Sequence, residues 1–399
     1  MVRAIGRRRF LGVAGIAGSV VMTGRPGDER DDEETTADGR ALTLDTGGTG
    51  GTYFPLGEEF KAIIEAETPH ELLVKSTGAS VENVGNLARG EADFALIQND
   101  INFFAFHGTG LEAFEDKPIE ALRGVATLFP ETIHVLVRGD TDAETIGDLA
   151  GADVNTGDVG SGTRVNARQI LEVAGVEEFT ELNTDFSTAA NQLADGDVDA
   201  AFVVGGPPVG AVADLAATAD VAVLEIGDDV REELVGDVEF FAADAIPGGT
   251  YDGIDEDVET VSVRAMLTTR DGVDAEIVEE VTAAIFDNAD QLTVEAEFID
   301  VETVLDGMSI PLHPGAVAYF DAHEAVELAD DGDALDGNER DDENEDGGEE
   351  TPGDGENEDA GEETRDDGEN EDAGEETRDD GDEDGTVDDV TEVTVSDRS

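Results

Sequence analysis

Apolar positions between residues 41 and 320 alternate between two periods. ALTLDTGG (41–48) is a short β-rich run that ends in a glycine-rich turn. Leu56, Phe60, Ile63 and Ile64 then fall at i, i+4, i+7 and i+8, which predicts a helix over 55–67. HELLVKSTG predicts a strand and a turn. SVENVGNLARG predicts a short helix, with Ser80 and Asn83 at capping-box spacing, and ADFALIQND predicts a buried strand. The module recurs downstream. DVNTGDVGSGTRVNARQILEVAG reads as strand, glycine-rich turn and helix; STAANQLADGDVDAAFVVGGPPVGAVADLA reads as helix, turn, strand, Gly-Pro turn and helix. Repeated strand–helix alternation predicts an α/β fold with a mostly parallel sheet.

Two of these stretches resemble each other. NVGNLARGEADFALIQND and AANQLADGDVDAAFVVGG both run helix, small-residue turn, acid, apolar strand and polar loop. This pairing points to one α/β lobe used twice around a cleft.

The two ends follow other rules. RRRFLGVAGIAGSVVM places Arg7, Arg8 and Arg9 before an apolar run from Phe10 to Met22, a basic region followed by a short hydrophobic one, as in a secretory signal. The twin arginines ahead of Phe10 and Leu11 resemble a Tat signal, which assigns residues 1–27 to export. The run falls short of the roughly 20 residues of a membrane span. An uncleaved anchor or a buried helix is the alternative. Thr23 and Gly24 follow Met22 where a lipid-anchored protein would carry Cys. Residues 28–40 form an acidic linker. Residues 328–399 are low-complexity, with GENEDAGEETRDD at 355–367 and again at 368–380. With so few apolar residues this tail is expected to be disordered. The run from Asp380 matches the first half of an EF-hand loop, but its twelfth position is Thr391 and Glu392 falls one place late. Diffuse cation binding or solubilisation is the simpler role.

Charge constrains this chain more than length does. The 399 residues hold 100 acids against 22 Lys and Arg, a net charge of −78. Residues 331–399 carry 33 acids and four arginines, and residues 28–330 carry 67 acids against 13 bases. The apolar runs of that middle segment mark a folded body, and its −54 predicts strong self-repulsion at low salt. Scarce Lys beside abundant Asp and Glu resembles haloarchaeal proteins, where molar salt shortens the screening length to about 3 Å. Nucleic acid is excluded as a partner, since phosphate needs basic surface. Anionic membrane surfaces are poor docks for the same reason. With no Cys there is no disulfide, thiolate metal site or catalytic thiol. None of the three lysines (Lys61, Lys75, Lys117) sits in a Walker A motif, and neither GGTGGTYF nor GDVGSGTR has dinucleotide spacing. The five histidines form no H-E-x-x-H, and Ser161 lies outside a G-x-S-x-G elbow. No cofactor, metal or catalytic set is therefore expected, and the chain reads as a non-enzyme.

Four small-residue loops stand at predicted helix starts: GGTGGTYFPLG (47–57), STGASVEN (76–83), GSGTRVN (160–166) and GGPPVG (205–210). Each offers backbone N–H groups at the positive end of a helix dipole, although ordinary βα turn chemistry explains any one alone. Converging on one cleft, they would hold an anion without a basic side chain.

These loops, with IPGGTY (246–251) and IPLHPGA (310–316), resemble in order the TAXI solute receptors, the extracytoplasmic binding subunits of TRAP-type secondary transporters, in a haloarchaeal form. The resemblance runs over about residues 42–320. It implies a type II periplasmic-binding-protein fold, two α/β lobes closing on a small solute such as glutamate, 2-oxoglutarate or a similar small organic anion or amino acid. It also implies an ion-gradient-driven membrane permease of the fused type as partner to a monomeric receptor on the extracellular face of the cell membrane. FPETIHVLVR (129–138) and TVSVRAMLTTR (260–270) fit the hinge crossovers, giving lobe I as 41–132 plus 262–320 and lobe II as 133–261. A substrate-binding protein of an ATP-driven transporter shares the fold. So does an enzyme such as porphobilinogen deaminase, whose cofactor-bearing Cys has no counterpart here.

The expected ligand residues follow from the loops. Gly51, Thr52 and Tyr53 close the first turn; Ser80 and Asn83 begin the second helix; Gln98 leaves a buried strand at its carboxyl end, where open α/β sheets bind ligands. Ser161, Gly162 and Thr163 would take a carboxylate, with Asn166 one turn on, and Gly205 and Gly206 end the matching strand and permit close backbone approach. Arg164 would pair an anion or an acidic neighbour, and His313 would shape a turn between Pro311 and Pro314.

Overall fold

A computed structural model describes residues 39–237 and 240–323. The export signal expected over residues 1–27, most of the expected acidic linker and the expected tail lie outside the described residues. Among those residues, no helix is long and apolar enough to cross a membrane.

The first half of the fold runs β1 (Ala41–Asp45), α1 (Tyr53–Glu67), β2 (Glu71–Lys75), α2 (Ser80–Arg89), β3 (Phe94–Gln98) and α3 (Asn99–His107). The periodic residues of α1 do what their spacing predicts: Leu56, Phe60, Ile63 and Ile64 are all buried. Each such burial is worth about 1.5–3 kcal/mol. Strand β4 (Leu122–Arg138) leads into the second half: β5 (Asp153–Asn155), α4 (Gly162–Val173), β6 (Thr180–Leu182), α5 (Phe186–Asp195), β7 (Ala200–Gly205) and α6 (Gly210–Ala216). After β8 (Val221–Val223), α7 (Asp228–Asp237) and β9 (Ala242–Ile246), strand β10 (Val258–Arg270) returns, followed by α8 (Ala275–Asp287) and α9 (Pro314–Ala322).

The strands pair in the order β2-β1-β3-β10-β4-β7-β5-β6, with β8 beside β4 and β9 beside β10. The outer triplets β2-β1-β3 and β7-β5-β6 are parallel. The expectation of a mostly parallel sheet fails at the centre. There β10 is antiparallel to β3, β4 and β9, and β4 is antiparallel to β7 and β8. Two long strands carry the chain between the halves in opposite directions, and that traffic sets the central pairing.

Each half buries its sheet on both faces, as an α/β layer must. One cluster of the first half joins Leu44, Phe60, Phe94 and Phe320, and another joins Leu87, Ile97 and Ile101. In the second half, Val154, Ile170 and Phe202 lie in one cluster and Leu193, Val203 and Leu215 in another. Strand β4 gives Val125, Leu128 and Phe129 to the first half and Ile133, Val135 and Val137 to the second. Strand β10 gives Val261 and Val263 to the second half and Ala265 and Leu267 to the first. The two halves are therefore separate cores threaded by two strands, and we call them the first and second lobes.

The change of core falls on Pro130, Glu131 and Thr132, where β4 faces Arg264, Val263 and Ser262, with a register shift between Arg264 and Met266. Proline has no N–H for a ladder and sits in a strand interior only where the ladder is irregular.

The internal repeat extends to individual braces. Gly90 and Gly196 end α2 and α5 at φ +69° and +77°, the left-handed region that glycine enters without strain. Three residues on, the Asp93 carboxylate accepts from the Thr43 amide at 3.0 Å and the Asp199 carboxylate from the Asp153 amide at 2.9 Å. The acid shared by the two sequence stretches thus ties the third strand of each lobe to its first.

Candidate functional site

The lobes face each other across a cleft beside the crossing strands. Its empty volume, open solvent at the mouth included, is about 600 Å³. The first lobe contributes the β1–α1 loop and the starts of α1 and α2; the second contributes the starts of α4 and α5 and the end of β7. Of the residues expected to bind, Gly51, Thr52, Tyr53, Ser80 and Gln98 line it from one side, and Ser161, Gly162, Thr163 and Gly205 from the other.

Three expected residues do not line it. Asn83 faces the first lobe's interior, where its Nδ2 donates to the carbonyls of Thr46 and Leu96 at 2.7 and 2.9 Å. Asn166 donates across the cleft to Asp100 Oδ2 at 2.9 Å and is fully buried. Gly206 accepts from Thr52 Oγ1 at 3.2 Å and packs against Glu295. Close backbone approach at Gly205 and Gly206 therefore serves lobe-to-lobe contact: a Cβ on Gly205 would stand 2.8 Å from Thr52 Oγ1. The capping box is also absent. Ala79 occupies the N-cap at φ +71° without a side-chain bond, while Ser80 Oγ accepts from the Gln98 amide at 3.2 Å. Strand β3 thus outcompetes the helix for that hydroxyl.

Two of the four helix starts spend their amides on the opposite lobe. The Gly160 carbonyl accepts from Val81 and Glu82 at 2.9 and 3.2 Å, and the Gly50 carbonyl accepts from Ala211 at 2.9 Å. The start of α1 and the start of α4 remain directed at the cleft. At α4, Ser161 is a true N-cap, its Oγ accepting from the Arg164 amide at 3.1 Å. The Arg164 guanidinium turns away and forks onto Glu181 at 2.9 and 3.1 Å. His313 caps α9 by accepting from the Gly315 amide.

The chemistry at the cleft floor centres on Glu131, which the loop motifs did not indicate. Its carboxylate accepts from the Tyr53 hydroxyl and from Gln98 Nε2. Only 3% of the residue is exposed. Burial pushes its carboxyl up to about 8, against the pull of the Tyr53 and Gln98 hydrogen bonds. Burial, and then the Glu131 charge, holds the Tyr53 hydroxyl well above its usual range. Nearby Asp100 is raised to about 6 and Glu295 to about 7, both by burial first. Asp158 and Asp185 also line the cleft, and among the described residues no Lys or Arg does. One signal in the sequence could have found Glu131: it is a lone acid in the apolar strand FPETIHVLVR, where an unpaired charge is costly.

A second polar chain braces the crossing on the far side. Tyr251 accepts from the Val209 amide and donates to His134 Nε2, both at 2.9 Å, while His134 Nδ1 donates to the Thr132 carbonyl at 3.0 Å. The ring is neutral in this arrangement, and burial holds it down to about 4. Among the described residues no group of acids and histidines is arranged to hold a metal.

A family model described as the NMT1-like family matches residues 44–323. Among solved structures, the chain is similar to the periplasmic binding protein BugD at 11% identity and a TM-score of 0.47, covering 72% of this chain and 96% of that one. It is similar to an ancestral arginine-binding protein bound to arginine at 14% identity and a TM-score of 0.41, covering 65% and 96%. It is also similar to the periplasmic aliphatic sulphonate binding protein SsuA from Escherichia coli at 15% identity and a TM-score of 0.38, covering 72% and 89%.

Proposed function

The chain belongs to the NMT1-like family, and on that premise we propose that it is a non-catalytic, extracytoplasmic receptor that captures a small carboxylate-bearing solute by closure of two lobes. One observation carries the reading. Glycine-rich starts of α1 and α4 face each other across a cleft whose lobes are latched by backbone hydrogen bonds at Gly160 and Gly50. Helix starts supply N–H groups that the helix itself leaves unpaired, so they suit a carboxylate where cationic side chains are absent. Thr163 adds a hydroxyl on the second-lobe side, while those of Thr52 and Ser161 donate to the Gly206 and Asp158 carbonyls. Lobe I would comprise 41–132 plus 262–320 and lobe II 133–261, with the hinge where β4 and β10 change core. Closure over the solute is the motion this topology permits.

The ordered TAXI motifs of the sequence favour a TRAP permease as the partner that receives the solute, with the receptor exported by its twin-arginine leader. Thermal melting of the full chain in molar KCl, with a panel of amino acids and organic acids, tests the reading. A bound solute adds RT ln(1 + [L]/Kd) to the free energy of unfolding and so raises the melting temperature. A panel with no stabilising member counts against it. A transporter ATPase encoded beside the gene, in place of a fused membrane permease, would move the partner to the ATP-driven class.

A further inference from the structure

The cleft floor is built to accept hydrogen bonds, not only to donate them. Gln98 is 2% exposed, and its Oε1 is a buried acceptor without a partner. That oxygen points across the cleft at Gly162, so closely that a Cβ there would collide with it. Its amide nitrogen is already committed to Glu131 Oε2 at 3.1 Å, which orients the oxygen toward the cleft. Glu131 sits where β4 passes from one core to the other, held by Tyr53 and Gln98, and both carboxylate oxygens accept from these neighbours. A buried carboxylate beside an unsatisfied amide oxygen is costly with nothing to bind. It is strongly attractive to a group that carries both positive charge and several N–H donors.

We propose that Glu131 and Gln98 Oε1 form a subsite for a protonated amine, so that the solute is an α-amino acid or related ammonium carboxylate and not a keto acid or other carboxylate without an amine. This rests on the receptor reading above and narrows its ligand. The solute carboxylate would meet the starts of α1 and α4, and its ammonium would lie toward the crossing strands. Asp158 and Asp185 at the cleft wall add negative potential that favours the zwitterion over a dianion. Burial is the main influence that disfavours the ionised form of Glu131; the charges of Asp100 on α3 and Glu295 after α8 act in the same direction, and the hydrogen bonds from Tyr53 on α1 and Gln98 oppose them. An incoming ammonium reverses that balance and draws the proton off Glu131, so binding releases a proton near neutral pH.

Matched pairs that differ only by amino against keto test this on the unmodified full chain: L-glutamate with 2-oxoglutarate, L-alanine with pyruvate, and L-leucine with its keto acid, by calorimetry in molar KCl. The expected result is that every solute that binds is an amine, with its keto partner at least about 30-fold weaker. Glu131→Gln should lose about 30-fold or more in affinity for the amine while still melting cooperatively as a folded protein, and Gln98→Leu should weaken the amine in the same direction. Keto acids that bind as tightly as their amine partners overturn the subsite and leave the receptor standing. A panel in which neither class binds overturns both. Amine affinity unchanged in a folded Glu131→Gln variant overturns the role of Glu131, and the wild-type pairs decide the ligand class should that variant fail to fold.

Discussion

The Gly160 carbonyl in the second lobe accepts a hydrogen bond from the Val81 amide in the first at 2.9 Å. Gly160 has φ +94°, a backbone conformation that an L side chain resists. Gly160→Ala should therefore disturb the latch at a cost of about 1–2 kcal/mol through the backbone, since a Cβ there meets nothing closer than 3.7 Å. The expected result is roughly tenfold weaker solute binding with the melting temperature of the free protein little changed. Unaltered affinity would show that the latch does not contribute to closure.

Gly162 acts by volume instead. Its Cβ would collide with Gln98 Oε1, so Gly162→Ala should hold the lobes apart without straining α4. Overpacking of this kind costs about 1–3 kcal/mol. Small-angle scattering should report a wider particle with solute present, and calorimetry a loss of affinity of about tenfold or more. A variant that closes normally refutes the contact.

Stability of the solute-free protein should fall as pH rises above about 6.5. Glu131 and Glu295 are raised by burial to about 8 and about 7, so between their unfolded values and these the folded state holds more protons than the unfolded one. Their stabilisation is complete at low pH and is lost as each deprotonates in the fold. His134, lowered to about 4, acts with the opposite sign between about 4 and 6.5, where it offsets Asp100, raised to about 6. The window above 6.5 thus isolates the two glutamates. Glu131→Gln should flatten the melting profile between pH 6.5 and 8.5, and a variant whose slope equals the wild type's speaks against the shift.

Arg164 should have little influence on the solute. Its guanidinium is tied to Glu181 on the far side of α4's first turn. Both groups are partly exposed, so the pair is worth at most about 1 kcal/mol. Arg164→Met is expected to change affinity by less than about threefold. A larger loss would mean that the arginine swings toward the ligand on closure.

The body's charge of −54 over residues 28–330 predicts a strong salt requirement. Raising KCl from about 0.1 M to about 3 M shortens screening from about 10 Å to below about 3 Å and should raise the melting temperature. Equal melting temperatures at the two concentrations would show that the acidic surface is tolerated without salt.

Local order in this protein is written in short-range pattern. The spacing of Leu56, Phe60, Ile63 and Ile64 determines α1, because a helix presents those positions on one stripe. The shared acid of the two repeated stretches determines the braces at Asp93 and Asp199, because each contact follows from one local module folded twice. The small-residue loops likewise mark the cleft, and most of the residues expected there line it. The use of each polar group is different, because it depends on what the second lobe brings close. Asn83 and Asn166 have the right chemistry for a ligand, but a core carbonyl pair and Asp100 claim them first. The amides of α2 and α6 are committed by carbonyls more than 70 and 150 residues away in sequence, at Gly160 and Gly50. Glu131 carries no motif at all. Only the crossing of β4 and β10 between two cores buries it beside Tyr53 and Gln98, and burial is what turns an ordinary glutamate into the polar floor of the cleft.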